Sequence, residues 1–299
     1  MTLKALPFVI LTGFLFGSTL IASRFSVGQF HPLIYISLRL IIASSVFLLI
    51  YTFMPGKKFP TNRQHWIRAG LFGVFGTAVN LVGIVSALQY LSSGLTSVLF
   101  TVAPALTAML AHFLLPVERL SMRQWVGVML SLSGALLLTL AGENGLPETS
   151  TDPRGYLLVA IAMFFGSTMT IYARKALTEY DAFDTAGIRM FTAAMAVIPL
   201  TLIFADFDLS AVNEQGIFAV VYAALLGTFG GFMVQLYVIK RFGAIPASMV
   251  PFIIPVVSVS GGILILDETL TPIMIVAVVI ILSGIALVQR RKAKIKIID

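Results

Sequence analysis

The chain has 299 residues, of which 58% are apolar and only 11% charged, and its mean hydropathy is +0.98. A water-soluble domain carries about 25% charged residues, so water could not solvate this surface, and the net charge of +7 is read as a membrane feature rather than a nucleic-acid one. The absence of cysteine removes disulfide frameworks, thiolate metal sites and thiol nucleophiles.

Crossing hydrocarbon takes roughly 20 residues at about 1.5 Å rise each. Apolar stretches of that length fall at 5–23, 33–54, 67–88, 94–115 and 122–141, and again at 155–173, 183–205, 216–239, 245–266 and 271–289. Segments rich in Pro, Gly and charge, such as "MPGKKFPTNRQH" and "AGENGLPETSTDPR", separate them. The first span is too long for the apolar core of a removable signal peptide and leads into nine more. The expected fold is an all-α integral membrane protein with ten transmembrane helices.

With the N-terminus in the cytoplasm, alternating spans put sixteen of the twenty Lys and Arg residues inside. They include Lys57, Lys58, Arg63, Arg68, Arg119, Arg123, Arg174, Lys175 and the tail "RRKAKIK". Only Arg24 and Arg154 fall outside, while Arg39 and Arg189 lie within spans. In short loops this bias sets orientation, so both termini are expected in the cytoplasm, with the tail against lipid headgroups.

The chain also repeats itself. Gly17, Ser18 and Thr19 recur as Gly166, Ser167 and Thr168, 149 positions on, and Arg39 recurs as Arg189 after 150. Thr77, Ser97 and Pro104 match Thr228, Ser248 and Pro255 after 151, and Glu118 and "LSGALLL" match Glu268 and "LSGIALV" after 150. Each copy holds five spans, an odd number, so the second must cross the membrane in the opposite sense. Residues 1–145 and 150–299 are therefore expected to be two inverted five-helix repeats, an arrangement common among secondary transporters.

An Arg early in the second span of each half, a Pro in the fourth, a Glu after it ("LLPVERLS", "LILDETLT") and "LSGAxL" in the fifth resemble the drug/metabolite transporter superfamily, in its EamA-type ten-span form. The resemblance covers essentially the whole chain and leans towards the YddG-type amino-acid exporters. It implies a bacterial inner-membrane carrier of small metabolites and leaves the substrate open.

Isolated polar groups are costly in hydrocarbon, so those within spans are the candidates for a pathway. Ser18, Thr19, Thr77, Asn80, Thr101, Ser167, Thr168, Thr228 and Gln235 are the candidate lining of a substrate cavity. For Asn80 and Gln235 interhelical bonding is an equal alternative, and Thr101 can return its hydroxyl proton to the backbone. Pro104, Pro251 and Pro255 are candidate hinges, because proline frees a carbonyl and permits a bend. Arg39 and Arg189 are expected to be structural charges, snorkelling or bound to backbone carbonyls, with a gate latch or anion contact as the other reading. Glu118 and Glu268 are expected to cap the helices that follow them.

No Asp or Glu lies in the middle of a span, no phosphate-cradling loop is present, and the three His form no visible cluster. No enzyme, metal or cofactor is expected. A cavity of hydroxyls and amides suits a neutral or zwitterionic solute, so the expected function is export of small metabolites, amino acids foremost, by alternating access. Multidrug efflux and a non-transporting membrane scaffold are the alternatives. The expected partners are a small-molecule substrate and the bilayer, with no nucleic acid and a monomeric state.

Overall fold

In the computed structural model, which describes residues 3–115, 119–147, 152–242, 244–247 and 249–289, every regular element among the described residues is helical. The first half holds α1 (Leu6–Phe25), α2 (Pro32–Phe53), α3 (Arg63–Ala87), α4 (Ser93–Leu114) and α5 (Met122–Leu140). The second holds α6 (Pro153–Ala176), α7 (Ala182–Phe204), α8 (Glu214–Ile239), α9 (Val250–Leu266) and α10 (Pro272–Gln289). Nine of these are long and apolar enough to cross a membrane, and α9 has 17 residues. Glu118, Ser248 and the basic tail lie outside the described residues.

Polar caps start most of the helices. The side chains of His31, Asn62, Ser92, Ser121, Asp152, Asp181 and Asn213 each accept a backbone N–H in the first turn of α2 to α8, and Thr271 does so for α10. Each relieves a helix end that would otherwise leave donors unpaired. Apolar side chains face outwards: Leu264 and Met122 are both 81% exposed and Leu140 77%. Such a surface is excluded in water and required in lipid.

Packing follows the repeat. α5 pairs with α10 and α2 with α7, each helix meeting its own counterpart. α1 packs on α8 and α9, and α6 packs on α3 and α4, so the neighbours of α1 are those of α6 moved by one repeat. The recurring glycines permit close contact with different partners. A methyl on Gly17 would lie 2.8 Å from the Ile254 carbonyl of α9, whereas one on Gly166 would meet the Asn80 amide of α3 at 2.8 Å.

Two spans differ from the continuous helices expected at 94–115 and 245–266. α4 stops at Phe100, turns at Thr101–Val102 and restarts at Ala103, with Pro104 in its new first turn. Proline has no N–H to return to the carbonyl of Phe100. In the second half a short helix, Ala244–Ala247, precedes α9, whose first turn contains Pro251, and Pro255 sits inside the helix without breaking it. The repeat mate of Pro251 is Phe100, so the interruption lies at different heights in the two halves.

Candidate functional site

Arg39 of α2 is buried, 7% exposed. Its Nε donates to the Thr228 hydroxyl of α8 at 2.6 Å, and a terminal nitrogen donates to the Ser23 hydroxyl of α1 at 3.4 Å. Ser23 also shares a 3.2 Å hydrogen bond with the Tyr35 hydroxyl, which donates to the Ala219 carbonyl at 3.4 Å. These bonds join α1, α2 and α8 at one end of the bundle.

The other end repeats the pairing. Arg189 of α7 donates through Nε to the Thr77 hydroxyl of α3 at 2.9 Å. Each arginine thus bonds a threonine of the opposite repeat. Both threonines lie in π-helical turns, Phe72–Ala78 in α3 and Ala223–Gly230 in α8, and Thr228 returns its own proton to the Ala223 carbonyl five residues back at 2.9 Å. A π turn widens the helix and frequently marks a functional site. The expectation of snorkelling or carbonyl-bound arginines gives way to hydroxyl bonding across the repeat boundary. The recurrence of Gly-Thr at 76–77 and 227–228, in register with Arg39 and Arg189, is the signal that could have revealed it.

The two ends then diverge. Beside Arg189 lies a cavity of about 310 Å³, lined by Phe72 of α3, residues of α7 and the α6–α7 turn, and Phe232, Gln235, Leu236 and Ile239 of α8. Moving 150 or 151 positions finds the same places at the Arg39 end, where those on the helices are filled. Thr185 lines the cavity and its mate Tyr35 is 0% exposed; Ile239 is 44% exposed and its mate Leu88 0%. Tyr35 and Val85, the mate of Leu236, belong to one packed apolar cluster with Leu81, the mate of Phe232.

Of the candidate lining residues, Gln235 borders the cavity, as does Arg189. Asn80 bonds the Ala162 carbonyl of α6 at 3.0 Å, joining α3 to α6. Ser18 bonds the Phe14 carbonyl at 2.6 Å and the Tyr222 hydroxyl at 2.8 Å, and Thr19 bonds the Leu15 carbonyl at 2.5 Å. Ser167 donates to the Ala103 carbonyl at 3.2 Å, where α4 restarts, and Thr101 to the Ser97 carbonyl at 2.7 Å. The Thr168 hydroxyl is buried and has no partner among the described residues. Thr101 and Pro255 border one narrow crevice between α4, α9 and α10.

Glu268 behaves differently from the expectation. It is 6% exposed, and its carboxylate accepts from Ser93 N at 2.6 Å, Gly94 N at 3.0 Å and Ser93 Oγ at 2.9 Å. It therefore caps α4, in the opposite repeat, while Thr271 caps α10. The left-handed Asp267 (φ 53°) turns the chain so that the carboxylate points back. Sequence spacing carries no sign of this, because the acceptor and its donors are 174 and 175 positions apart.

The EamA-like transporter family model matches residues 3–140 and 153–290. Similar proteins include the uncharacterized transporter YoaV of Bacillus subtilis, 24% identical over 94% of this chain and 95% of its own. The uncharacterized inner membrane transporter YedA of Escherichia coli is 26% identical over 93% and 88%. A chloroplastic WAT1-related protein of Arabidopsis thaliana is 23% identical over 92% and 67%. A solved crystal structure superposes with a TM-score of 0.67 over 97% of this chain and 99% of its own at 20% identity, which establishes the shared fold.

Proposed function

The chain belongs to the EamA-like transporter family, and from that premise we propose that it is a bacterial inner-membrane carrier exporting small neutral or zwitterionic metabolites, amino acids foremost, by alternating access. The observation that carries this reading is the inequality of two ends built from the same repeat. The Arg189 end holds a cavity of about 310 Å³, while the matching helix residues at the Arg39 end are packed shut. Exchanging the conformations of the two halves, residues 1–145 and 150–299, would close the first end and open the second.

Orientation gives the direction. With the basic loops inside, the cavity faces the cytoplasm, where an exporter loads. Polar lining by Gln235, Thr185 and Thr178 suits a small polar solute, and the lining contains the Arg189 cation without any Asp or Glu. That charge works against the lipophilic cations of multidrug efflux. A scaffold would have no use for the cavity.

Purified protein reconstituted in liposomes tests the reading. Saturable counterflow of a labelled amino acid is the expected result. Preference for a lipophilic cation would favour drug efflux, and absence of flux for every solute would favour the scaffold.

A further inference from the structure

We infer that the cavity is a carboxylate site in which Arg189 is the anion-binding group, held ready by Thr77, Phe72 and Phe232. The inference rests on the transport reading for its purpose and names the chemical group by which that site takes its substrate.

The arginine is fixed but not satisfied. Its Nε is used by Thr77 at 2.9 Å, and its guanidinium lies 4.3 Å from the Phe72 ring centre and 4.7 Å from that of Phe232. Those contacts anchor the side chain from α3 and α8. No described residue bonds its two terminal nitrogens, and no described carboxylate forms a salt bridge with it. A guanidinium presents a planar fork that matches the two oxygens of a carboxylate. A half-buried positive charge with no counter-ion among the described residues is costly, and an incoming carboxylate removes that cost while occupying the fork.

The remaining lining decides what else the ligand carries. Phe72, Phe232, Leu236 and Ile239 offer apolar contact, and Gln235 and Thr185 are neutral. With no acidic side chain in the lining, an α-ammonium is tolerated without being required. The favoured class is therefore a small monocarboxylate with an apolar remainder, which includes apolar amino acids and their deaminated analogues. The aromatic pair belongs to this end alone, since the repeat mates of Phe72 and Phe232 are Ala223 and Leu81. The carboxylate is held more firmly where the cavity now opens than where it would open after exchange.

Three probes separate the possibilities: phenylalanine, 3-phenylpropionate, which keeps the carboxylate without the ammonium, and phenylalaninamide, which keeps the ammonium without the carboxylate. Binding is read as thermal stabilisation of the purified protein, and transport as competition with labelled phenylalanine counterflow in liposomes. We expect the two carboxylates to bind within about threefold of each other and the amide about tenfold or more weaker. Arg189→Gln should abolish that preference and Arg189→Lys should keep part of it. The wild-type panel decides the matter even if a variant does not fold. An amide that competes as well as the acid overturns the site and leaves transport standing. Carboxylate-dependent stabilisation without counterflow overturns transport and leaves the site standing. Neither stabilisation nor flux overturns both.

Discussion

Arg39 and Thr228 are joined by a 2.6 Å hydrogen bond, and their repeat mates Arg189 and Thr77 by one of 2.9 Å. The chemistry is the same but the surroundings are not: the first pair is sealed among packed helices and the second opens on a cavity. Under the alternating access proposed above, one construction would serve two ends of a pathway in this way. Each guanidinium keeps a hydroxyl partner from the opposite half, so closing one end does not strand a charge in hydrocarbon.

Thr228→Val should therefore destabilise more than Thr77→Val. The first leaves a sealed guanidinium without its shortest bond, a loss of about 2 kcal/mol or more for a buried charged group. The second leaves Arg189 beside a cavity that water can enter, so about 1 kcal/mol is expected. Melting temperatures of the two purified variants in detergent check the order. Equal losses would mean that the ends are equally closed in solution.

Gly227 tests the contact between α8 and α1. A methyl there would overlap the Thr19 side chain, so Gly227→Ala should cost about 1–3 kcal/mol through overpacking. Thr19→Ala in the same chain removes the hydroxyl and methyl in the way and should restore part of that loss. A double-mutant cycle measures the coupling, and strictly additive effects would show that the helices do not meet there.

The ten spans, their pairing as two repeats and the recurrence of Arg39 as Arg189 were legible because each is a local pattern or a fixed offset in the chain. The partners of those residues were not. Thr77 and Thr228 were candidates as pathway lining, and nothing local says that each points at an arginine of the other half. The cavity at one end was also hidden: a repeat predicts equality, and the two ends differ. For Asn80 the interhelical alternative is the one observed, and its partner, the Ala162 carbonyl, could not be named because it comes from another helix.

Glu268 fixes α4 from the α9–α10 turn. Glu268→Ala leaves the Ser93 and Gly94 N–H groups unpaired at a buried helix end and should cost about 1–3 kcal/mol. Glu268→Gln keeps one acceptor oxygen and should lose about half as much. Thermal melts of the two variants test the cap. A Gln variant as damaged as Ala would point to the negative charge itself as the needed feature.

The three prolines should not behave alike. Pro104 and Pro251 each stand in the first turn after an interruption, whereas Pro255 lies within a continuous helix. If the interruptions flex between states, Pro104→Ala and Pro251→Ala should lower the transport rate several-fold with little change in affinity. Pro255→Ala should have a smaller effect. Initial rates and half-saturation concentrations in liposomes separate the two quantities. A larger effect at Pro255 than at Pro251 would place the flexing point inside α9.

Exchange between the two ends can be followed with a thiol, since the chain contains no cysteine of its own. Ile239→Cys puts a thiol at the open end and Leu88→Cys at its sealed mate, where the native side chains are 44% and 0% exposed. A membrane-impermeant maleimide added from the cytoplasmic face should label the first quickly, and added from the outer face should label the second at least tenfold more slowly. Saturating substrate under counterflow populates both states, so it should slow labelling at Ile239→Cys and speed it at Leu88→Cys. Opposite changes at two repeat-related positions are the signature of one end closing as the other opens. Changes in the same direction would mean a general loosening of the bundle, and reaction of Ile239→Cys only from the outer face would reverse the orientation assigned from the basic loops.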